Sequence, residues 1–147
     1  MYKKILVATD GTKLSKKAVK AASQLAVELG ANLTLVQVVP KYPNTFFDGS
    51  PVFSVREIAQ LEEKMTVKAK TSLNELVKDA VDHHIGVSTT VVKSSNVSEA
   101  LLKVAQKTKA DLIVMASHGR GGIKRVLIGS ETLQVLTHSE IPVLVIR

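Results

Sequence analysis

The residues with the clearest chemical potential lie between Ile113 and Ser130, where an apolar run leads into a loop and then into a helical pattern. The loop carries three glycines and three cations, which are Gly119, Gly121, Gly122, Arg120, Lys124 and Arg125. Glycines allow positive φ and let a ligand approach the backbone closely. Gly129 and Ser130 open the helical pattern, with Ser130 as its predicted N-cap. Because unpaired N–H groups at a helix start attract anions, this segment predicts a nucleotide-phosphate site.

The same pattern has a simpler interpretation, in which the glycines form a turn and Ser130 only caps its helix. The segment is not a Walker A loop, because it contains no Gly-x-x-x-x-Gly-Lys-Ser/Thr, and it is not a dinucleotide Gly-x-Gly-x-x-Gly motif. A ligand bound here would therefore lack the lysine and magnesium arrangement of P-loop hydrolases.

The elements that position this loop alternate regularly along the chain. Strands are predicted at 3–9, 32–39, 87–92, 111–117 and 143–146, and helices at 14–29, 55–82, 97–107 and 130–138. Five strands alternating with four helices predict an α/β fold with a parallel sheet and right-handed crossovers. We expect one domain over residues 1–147 and the strand order 3-2-1-4-5.

Asp10 ends the first predicted strand. In this order the first and fourth strands flank the switch point of the sheet, where open α/β sheets bind ligands. Asp10 and the glycine loop would then meet at one cleft. Taken alone, Asp10 is explained as a cap or turn residue. Beside a phosphate loop, its carboxylate suits the hydroxyl groups of a ribose.

Composition limits the classes of function. The 147 residues include no cysteine, which excludes disulfides, thiolate catalysis and cysteine-based zinc sites. The net charge of +7 is dispersed and aromatic residues make up 3%, so we expect no nucleic-acid partner. We also expect no membrane span and a cytoplasmic location, since the first apolar run is short.

Two further features have competing interpretations. Residues 41–54 form a predicted loop that contains Tyr42, Phe46, Phe47 and Phe53, and it is either a lid or partner contact or simple packing over the sheet edge. The pair His83-His84 follows the long second helix. Adjacent helical residues do not face one another, so we predict no metal site there.

A spaced motif connects the fourth strand to the last helix and reads Ala116-Ser-His-Gly119, nine residues and Gly129-Ser130. Three further stretches are Ile5-Leu-Val-Ala-Thr-Asp10, Asp111-Leu-Ile-Val-Met115 and Ile141-Pro-Val-Leu-Val-Ile146. Together they resemble the universal stress protein family of the adenine-nucleotide-binding type, over essentially the whole chain. The signature of that family is Gly-x-x-Gly, nine residues and Gly-Ser/Thr.

The resemblance implies a Rossmann-like, adenine nucleotide alpha hydrolase-like three-layer sandwich that binds ATP or a related nucleotide, with Mg²⁺ as an optional companion. It implies that Asp10 holds the ribose and that Thr9 and Val38 hold the adenine, Val38 through its backbone. It places Met115, Gly119, Gly129, Ser130 and Glu131 around the phosphates. The full expected set also includes Ala8, Ala116, His118, Arg120 and Gly122.

Ala116 stands where the family has its first motif glycine. The added methyl is tolerated if the backbone there is extended, and it weakens binding if the phosphates need its space. Three functions therefore stay open: a regulatory nucleotide-binding protein, a slow ATP hydrolase, and a nucleotide-free interaction module. Hydrolysis needs a positioned water and usually a base or a metal, and His118 is the only histidine near the loop, so binding is favoured.

The last strand, Val143–Ile146, is apolar and lies at the expected sheet edge. Such an edge invites pairing with another chain, so we expect a twofold homodimer through this strand. The family resemblance implies the same assembly. The alternative is that a loop of the chain itself covers the edge.

Overall fold

The computed structural model describes residues 1–44, 46–47, 49–80, 84–119 and 128–147. In these ranges the elements are β1 (Lys4–Ala8), α1 (Lys13–Leu29), β2 (Asn32–Val39), β3 (Phe46–Phe47), β4 (Ser50–Pro51), α2 (Val55–Ala80), β5 (Val87–Lys93), α3 (Val97–Thr108), β6 (Leu112–Ala116), α4 (Ser130–His138) and β7 (Val143–Ile146).

The main sheet of the described chain is parallel and has the order β5-β2-β1-β6-β7. The five strands of this sheet have the predicted order, so the α/β fold class is confirmed. The strand labels differ from the prediction because β3 and β4 form a small antiparallel hairpin of their own. This hairpin lies within the predicted loop over residues 41–54.

Alternation along the strands divides the core into two layers. On β1, Ile5 and Val7 pack with side chains from α1 and α2, whereas Leu6 packs with α3 and α4 on the opposite face. A parallel sheet needs cover on both faces because both sides of its strands are apolar. The result is the predicted three-layer sandwich, with the helices holding the carboxyl ends of β1 and β6 side by side.

Local signals set the helix ends near these strands. α1 begins at its N-cap Thr12, whose side chain accepts a hydrogen bond from Ser15 N, and ends at Gly30, where φ is 58°. α3 begins after its N-cap Asn96, whose side chain accepts a hydrogen bond from Glu99 N. The start of α1 therefore follows β1 after one short turn.

The histidine pair that follows α2 is described only in part. His83 lies outside the described residues, and His84 is exposed. Over the ranges that the structure describes, none of the helices is both long enough and apolar enough to span a membrane.

Candidate functional site

A cleft of about 310 Å³ opens at the carboxyl ends of β1 and β6, where the strand order changes direction. This is the position at which open α/β sheets bind ligands. Its volume lies in the range of small-molecule pockets. The described residues that line it are Ala8, Thr9, Asp10, Ser15, Val36, Val38, Val97, Leu101, Met115, Ala116, His118, Gly119, Gly129, Ser130, Glu131 and Thr132.

Every predicted site residue within the described ranges lines this cleft. These residues are Ala8, Thr9, Asp10, Val38, Met115, Ala116, His118, Gly119, Gly129, Ser130 and Glu131. Arg120 and Gly122 lie outside the described residues, as do Gly121, Lys124 and Arg125. The tertiary structure thus brings the end of the first strand and the start of the last helix to one place.

Sequence reasoning missed five lining residues, which are Ser15, Val36, Val97, Leu101 and Thr132. Val97 and Leu101 are four residues apart on α3, a spacing that predicts a helix face in the core. Val36 is a buried strand residue. No signal in the sequence distinguishes such residues from ordinary core positions, because only the packing decides that a cleft opens beside them.

The lining differs in chemistry from element to element. β2 and α3 contribute apolar side chains, among them Val38 and Leu101. The turn after β1 and the first turn of α4 contribute polar ones, among them Asp10, Ser130 and Glu131. The cleft is therefore suited to a ligand with one flat apolar end and one polar or anionic end.

The carboxylate of Asp10 is oriented by the turn into α1. Its Oδ1 accepts hydrogen bonds from Thr12 N at 3.0 Å and from Thr12 Oγ1 at 2.7 Å. Asp10 therefore fulfils the turn role that its position predicted, and it also lines the cleft. The neighbouring Thr9 is buried, with its Oγ1 3.0 Å from Ser15 Oγ.

Gly119 brings its backbone close to the Asp10 carboxylate. A Cβ built on Gly119 would lie 2.7 Å from Asp10 Oδ2, far closer than a real contact allows. Among the described residues the glycines with positive φ are Gly11, Gly30 and Gly49, so Gly119 does not use the positive φ that glycine allows. The feature that distinguishes Gly119 is the close approach of the Asp10 carboxylate.

The start of α4 also differs from the prediction. Its N-cap is Gly129, with φ −72° and ψ 159° and no side-chain capping bond, and Ser130 is the first helical residue. A Cβ on Gly129 would lie 3.2 Å from His118 Cα, so a side chain there would press on the backbone after β6. The prediction that Ser130 is the cap was therefore wrong, and its hydroxyl has no capping role.

Three backbone amides are presented at the start of α4. The first hydrogen bond within this helix runs from Leu133 N to Gly129 O at 2.9 Å. The N–H groups of Ser130, Glu131 and Thr132 precede it and belong to the first turn, whose amides have no intrahelical acceptor. Together with the helix dipole, they make this side of the cleft favourable for an anion.

Thr132 connects the first turn of α4 to the end of β6. Its Oγ1 donates to the Ala116 carbonyl at 2.9 Å, and the side chain is 2% exposed. Ala116 itself is extended, in register with Ile146, and its methyl packs in the core layer that includes Ala18 of α1. Ala116 therefore has the extended backbone with which its methyl was expected to be tolerated.

The backbone of Val38 lies beyond the end of β1. Asn32 N donates to Lys3 O, and Val36 O accepts from Thr9 N, so the even-numbered residues of β2 direct their backbone groups toward β1. Val38 is the next even-numbered residue of β2. The pairing of β1 with β2 ends at Ala8, which lies opposite Val36, so Val38 lies beyond the last pair. The peptide groups of Val38 therefore point past β1 toward the cleft.

The remaining titratable groups bear on catalysis. His118 is half-buried, with its Nδ1 3.2 Å from Ser117 Oγ. Across the residues that the structure describes, there is no group of three His, Cys, Asp or Glu side chains that could hold a metal ion.

Comparison with known proteins gives a consistent result. The sequence model of the universal stress protein family matches residues 1–147. Universal stress protein MJ0531 of Methanocaldococcus jannaschii is 32% identical over 147 residues, which cover 100% of this chain and 83% of that protein. The solved structure of MJ0577, from the same organism, is 28% identical with a TM-score of 0.81, over 99% of this chain and 96% of that chain.

A third comparison concerns a solved structure with a bound ligand. The universal stress protein from Archaeoglobus fulgidus in complex with dAMP is 18% identical, with a TM-score of 0.63 over 99% of this chain and 98% of that chain. At that identity the likeness shows a shared fold.

Proposed function

The chain belongs to the universal stress protein family, and from that premise we propose that its cleft binds an adenine nucleotide. ATP is the form that the sequence resemblance implied. We further propose that the protein acts as a dimeric regulator in a stress response, in which the bound nucleotide changes its interactions with partners. A cytoplasmic location stays a prediction from the sequence.

The nucleotide proposal rests on one observation: the cleft at the switch point of the sheet has an apolar part and a polar part. The apolar side chains of β2 and α3 suit the faces of a purine, and the Asp10 carboxylate can accept hydrogen bonds from ribose hydroxyls. The first-turn amides of α4, from Ser130 to Thr132, suit a phosphate. An adenine nucleotide combines these three parts in this order.

The edge of the adenine can be recognised by the backbone of Val38. Because β2 extends past the last pairing partner of β1, its peptide groups are placed to bond a planar heterocycle lying beyond Ala8. Backbone groups are fixed by the sheet, so such recognition costs little conformational entropy. The dAMP held by the A. fulgidus protein supports the same ligand class for this fold.

Mg²⁺ would enter as a companion of the nucleotide. The described residues form no cluster able to hold a metal ion by themselves, and Mg²⁺ commonly binds through substrate phosphates and one or two carboxylates. In the proposed site, Asp10 and Glu131 are the described carboxylates that line the cleft. We therefore expect Mg²⁺ to contribute less to the binding free energy than the contacts of the nucleotide itself.

The dimer proposal rests on the edge strand β7. In the described chain β7 pairs on one side with β6 and is the last strand of the sheet. Ile113 N donates to Pro142 O and Ser117 N donates to Ile146 O, so even-numbered residues face β6. Val143 and Val145 therefore direct their backbone groups to the open edge, which can pair with the same strand of a second copy.

Mass spectrometry of the purified and gently desalted protein tests the nucleotide proposal, followed by calorimetric titration of the emptied protein with adenosine, AMP, ADP and ATP. We expect a bound adenine nucleotide and saturable binding that is lost in Gly129→Val. Absence of binding by all four ligands would refute the proposal. A single-turnover assay with excess protein then separates a regulator from a hydrolase, because stoichiometric phosphate release identifies the hydrolase.

A further inference from the structure

Glu131 connects two helices at the cleft. It lies in the first turn of α4 and lines the cleft, and its Oε2 accepts a hydrogen bond from Ser98 N at 3.1 Å. Ser98 is the second residue of α3 and is buried. The carboxylate thus takes one of the first-turn amides of α3 as its donor.

The start of α3 is already supplied with acceptors. Asn96 Oδ1 accepts hydrogen bonds from Ser98 Oγ at 3.0 Å and from Glu99 N at 3.1 Å. With Glu131 accepting from Ser98 N, the amides of Ser98 and Glu99 both have acceptors within the chain. If a ligand displaced the Glu131 carboxylate, the buried Ser98 amide would lose its acceptor, which is costly. Glu131 is therefore held in place.

This arrangement leaves a fixed negative charge beside the proposed phosphate position. Glutamate is negatively charged at neutral pH. Glu131 belongs to the same turn whose amides are proposed to bind phosphate, so its carboxylate lies within one side-chain length of that position. The residue is exposed and lines the cleft, so its charge is not buried away from a ligand there. Like charges at such distances repel, and the repulsion grows with the charge of the ligand.

We infer that Glu131 is a specificity-determining residue that penalises each additional phosphate charge on a bound adenine nucleotide. This inference rests on the proposed function and refines it, because it concerns which phosphorylation state the cleft accepts. The charge of Glu131 should lower the affinity for ATP most and the affinity for AMP moderately. It should not lower the affinity for adenosine, which has no phosphate. A purely structural link between α3 and α4 would not depend on the number of phosphates.

Calorimetric titration of the full-length protein with adenosine, AMP, ADP and ATP, at low salt and without Mg²⁺, tests the inference. In Glu131→Gln the side-chain oxygen can still accept from Ser98 N, so the link between the helices is kept while the charge is removed. We expect the ratio of ATP affinity to AMP affinity to rise about tenfold in this variant, with adenosine affinity unchanged.

Glu99→Gln is the matched control. Glu99 lies in the first turn of α3, its Oε1 forms an exposed ion pair with Lys103, and it is not among the lining residues. This variant has the same change of charge, and we expect its ATP-to-AMP ratio to equal that of the wild type. An equal ratio in Glu131→Gln and wild type would overturn the inference, as would equal shifts in both variants.

The salt dependence gives a second readout. Screening weakens the repulsion, so the wild-type ATP-to-AMP ratio should approach that of Glu131→Gln as ionic strength rises. A difference between the two proteins that does not change with salt would contradict an electrostatic origin. If none of the four ligands binds, the proposed function fails, and this outcome is distinct from binding with an unchanged ratio.

Discussion

The carboxylate of Asp10 lies against the backbone of Gly119, so that a Cβ at position 119 would stand 2.7 Å from Asp10 Oδ2. The two residues follow β1 and β6, the neighbouring strands that flank the switch point. Both residues line the cleft, and their contact joins the turn after β1 to the segment after β6. We therefore expect changes at the two positions to influence each other.

Gly119→Ala should weaken adenine-nucleotide binding about tenfold, because the new methyl would displace the Asp10 carboxylate, whose Oδ1 accepts two hydrogen bonds from Thr12. Titration calorimetry measures the loss. In an Asp10→Ala background the new methyl has space, so Gly119→Ala should then cost little more. A double-mutant cycle with strictly additive losses would contradict this coupling.

Ser130→Ala should weaken nucleotide binding several-fold and leave the melting temperature unchanged. The reason is that Gly129, not Ser130, occupies the N-cap position of α4. Asn96→Ala serves as the comparison, since Asn96 is a real cap and its loss should cost about 1 kcal/mol of unfolding free energy. Equal thermal destabilisation of both variants would show that Ser130 does stabilise its helix.

Thr132→Val should destabilise the fold by about 1–3 kcal/mol, because it leaves the buried Ala116 carbonyl without the Thr132 hydroxyl. It should also weaken nucleotide binding by loosening the start of α4. Thr137→Val is the matched change on the same helix, where the hydroxyl donates to Leu133 O on the exposed side. Denaturant unfolding should show a clearly larger loss of unfolding free energy in Thr132→Val than in Thr137→Val. Similar losses of unfolding free energy in both variants would argue against a stabilising role of the Thr132 contact.

Ala116→Gly should lower the unfolding free energy by roughly 1–2 kcal/mol, since it removes a buried methyl and adds a flexible residue to a strand. Because Ala116 is already extended, we expect the nucleotide affinity to change by less than about threefold, which is below 1 kcal/mol. Titration and chemical denaturation measure the two effects. A large gain in affinity would mean that the methyl obstructs the ligand.

Val145→Pro should convert the proposed dimer to a monomer that keeps its fold. The Val145 amide points away from β6, so proline removes a donor from the open edge and leaves the pairing with β6 intact. Sedimentation equilibrium reports the mass, and circular dichroism reports the fold. Leu144→Pro is the contrasting change, expected to unfold β7, because Leu144 faces β6. A Val145→Pro protein that remains dimeric would place the interface elsewhere.

Much of the architecture could be predicted because periodicity is local information. The runs at 32–39, 130–138 and 143–146 have the same bounds in the prediction and in the structure. The strand order followed from the alternation of strands and helices together with the handedness of crossovers. The hairpin of β3 and β4 was missed because its strands are two residues long, too short for a periodic signal.

The roles of individual site residues could be predicted less well. Asp10 was placed correctly at the strand end, but its contact with Gly119 was not predicted, since a close contact between distant residues has no sequence signature. The cap of α4 was misplaced by one residue, because Gly129 and Ser130 are both acceptable caps by type. Glu131 was expected near the phosphates, and its bond to Ser98 N was not foreseen.

The sequence by itself determined the elements, their order and the family, because apolar spacing, turn residues and short motifs are properties of neighbouring positions. Tertiary structure alone decided that Asp10, Gly119 and the first turn of α4 share one cleft with side chains from α3. It also decided that Glu131 binds the start of a different helix. The physical reason is that contacts between residues far apart in sequence depend on how whole layers pack, and no local pattern encodes that packing.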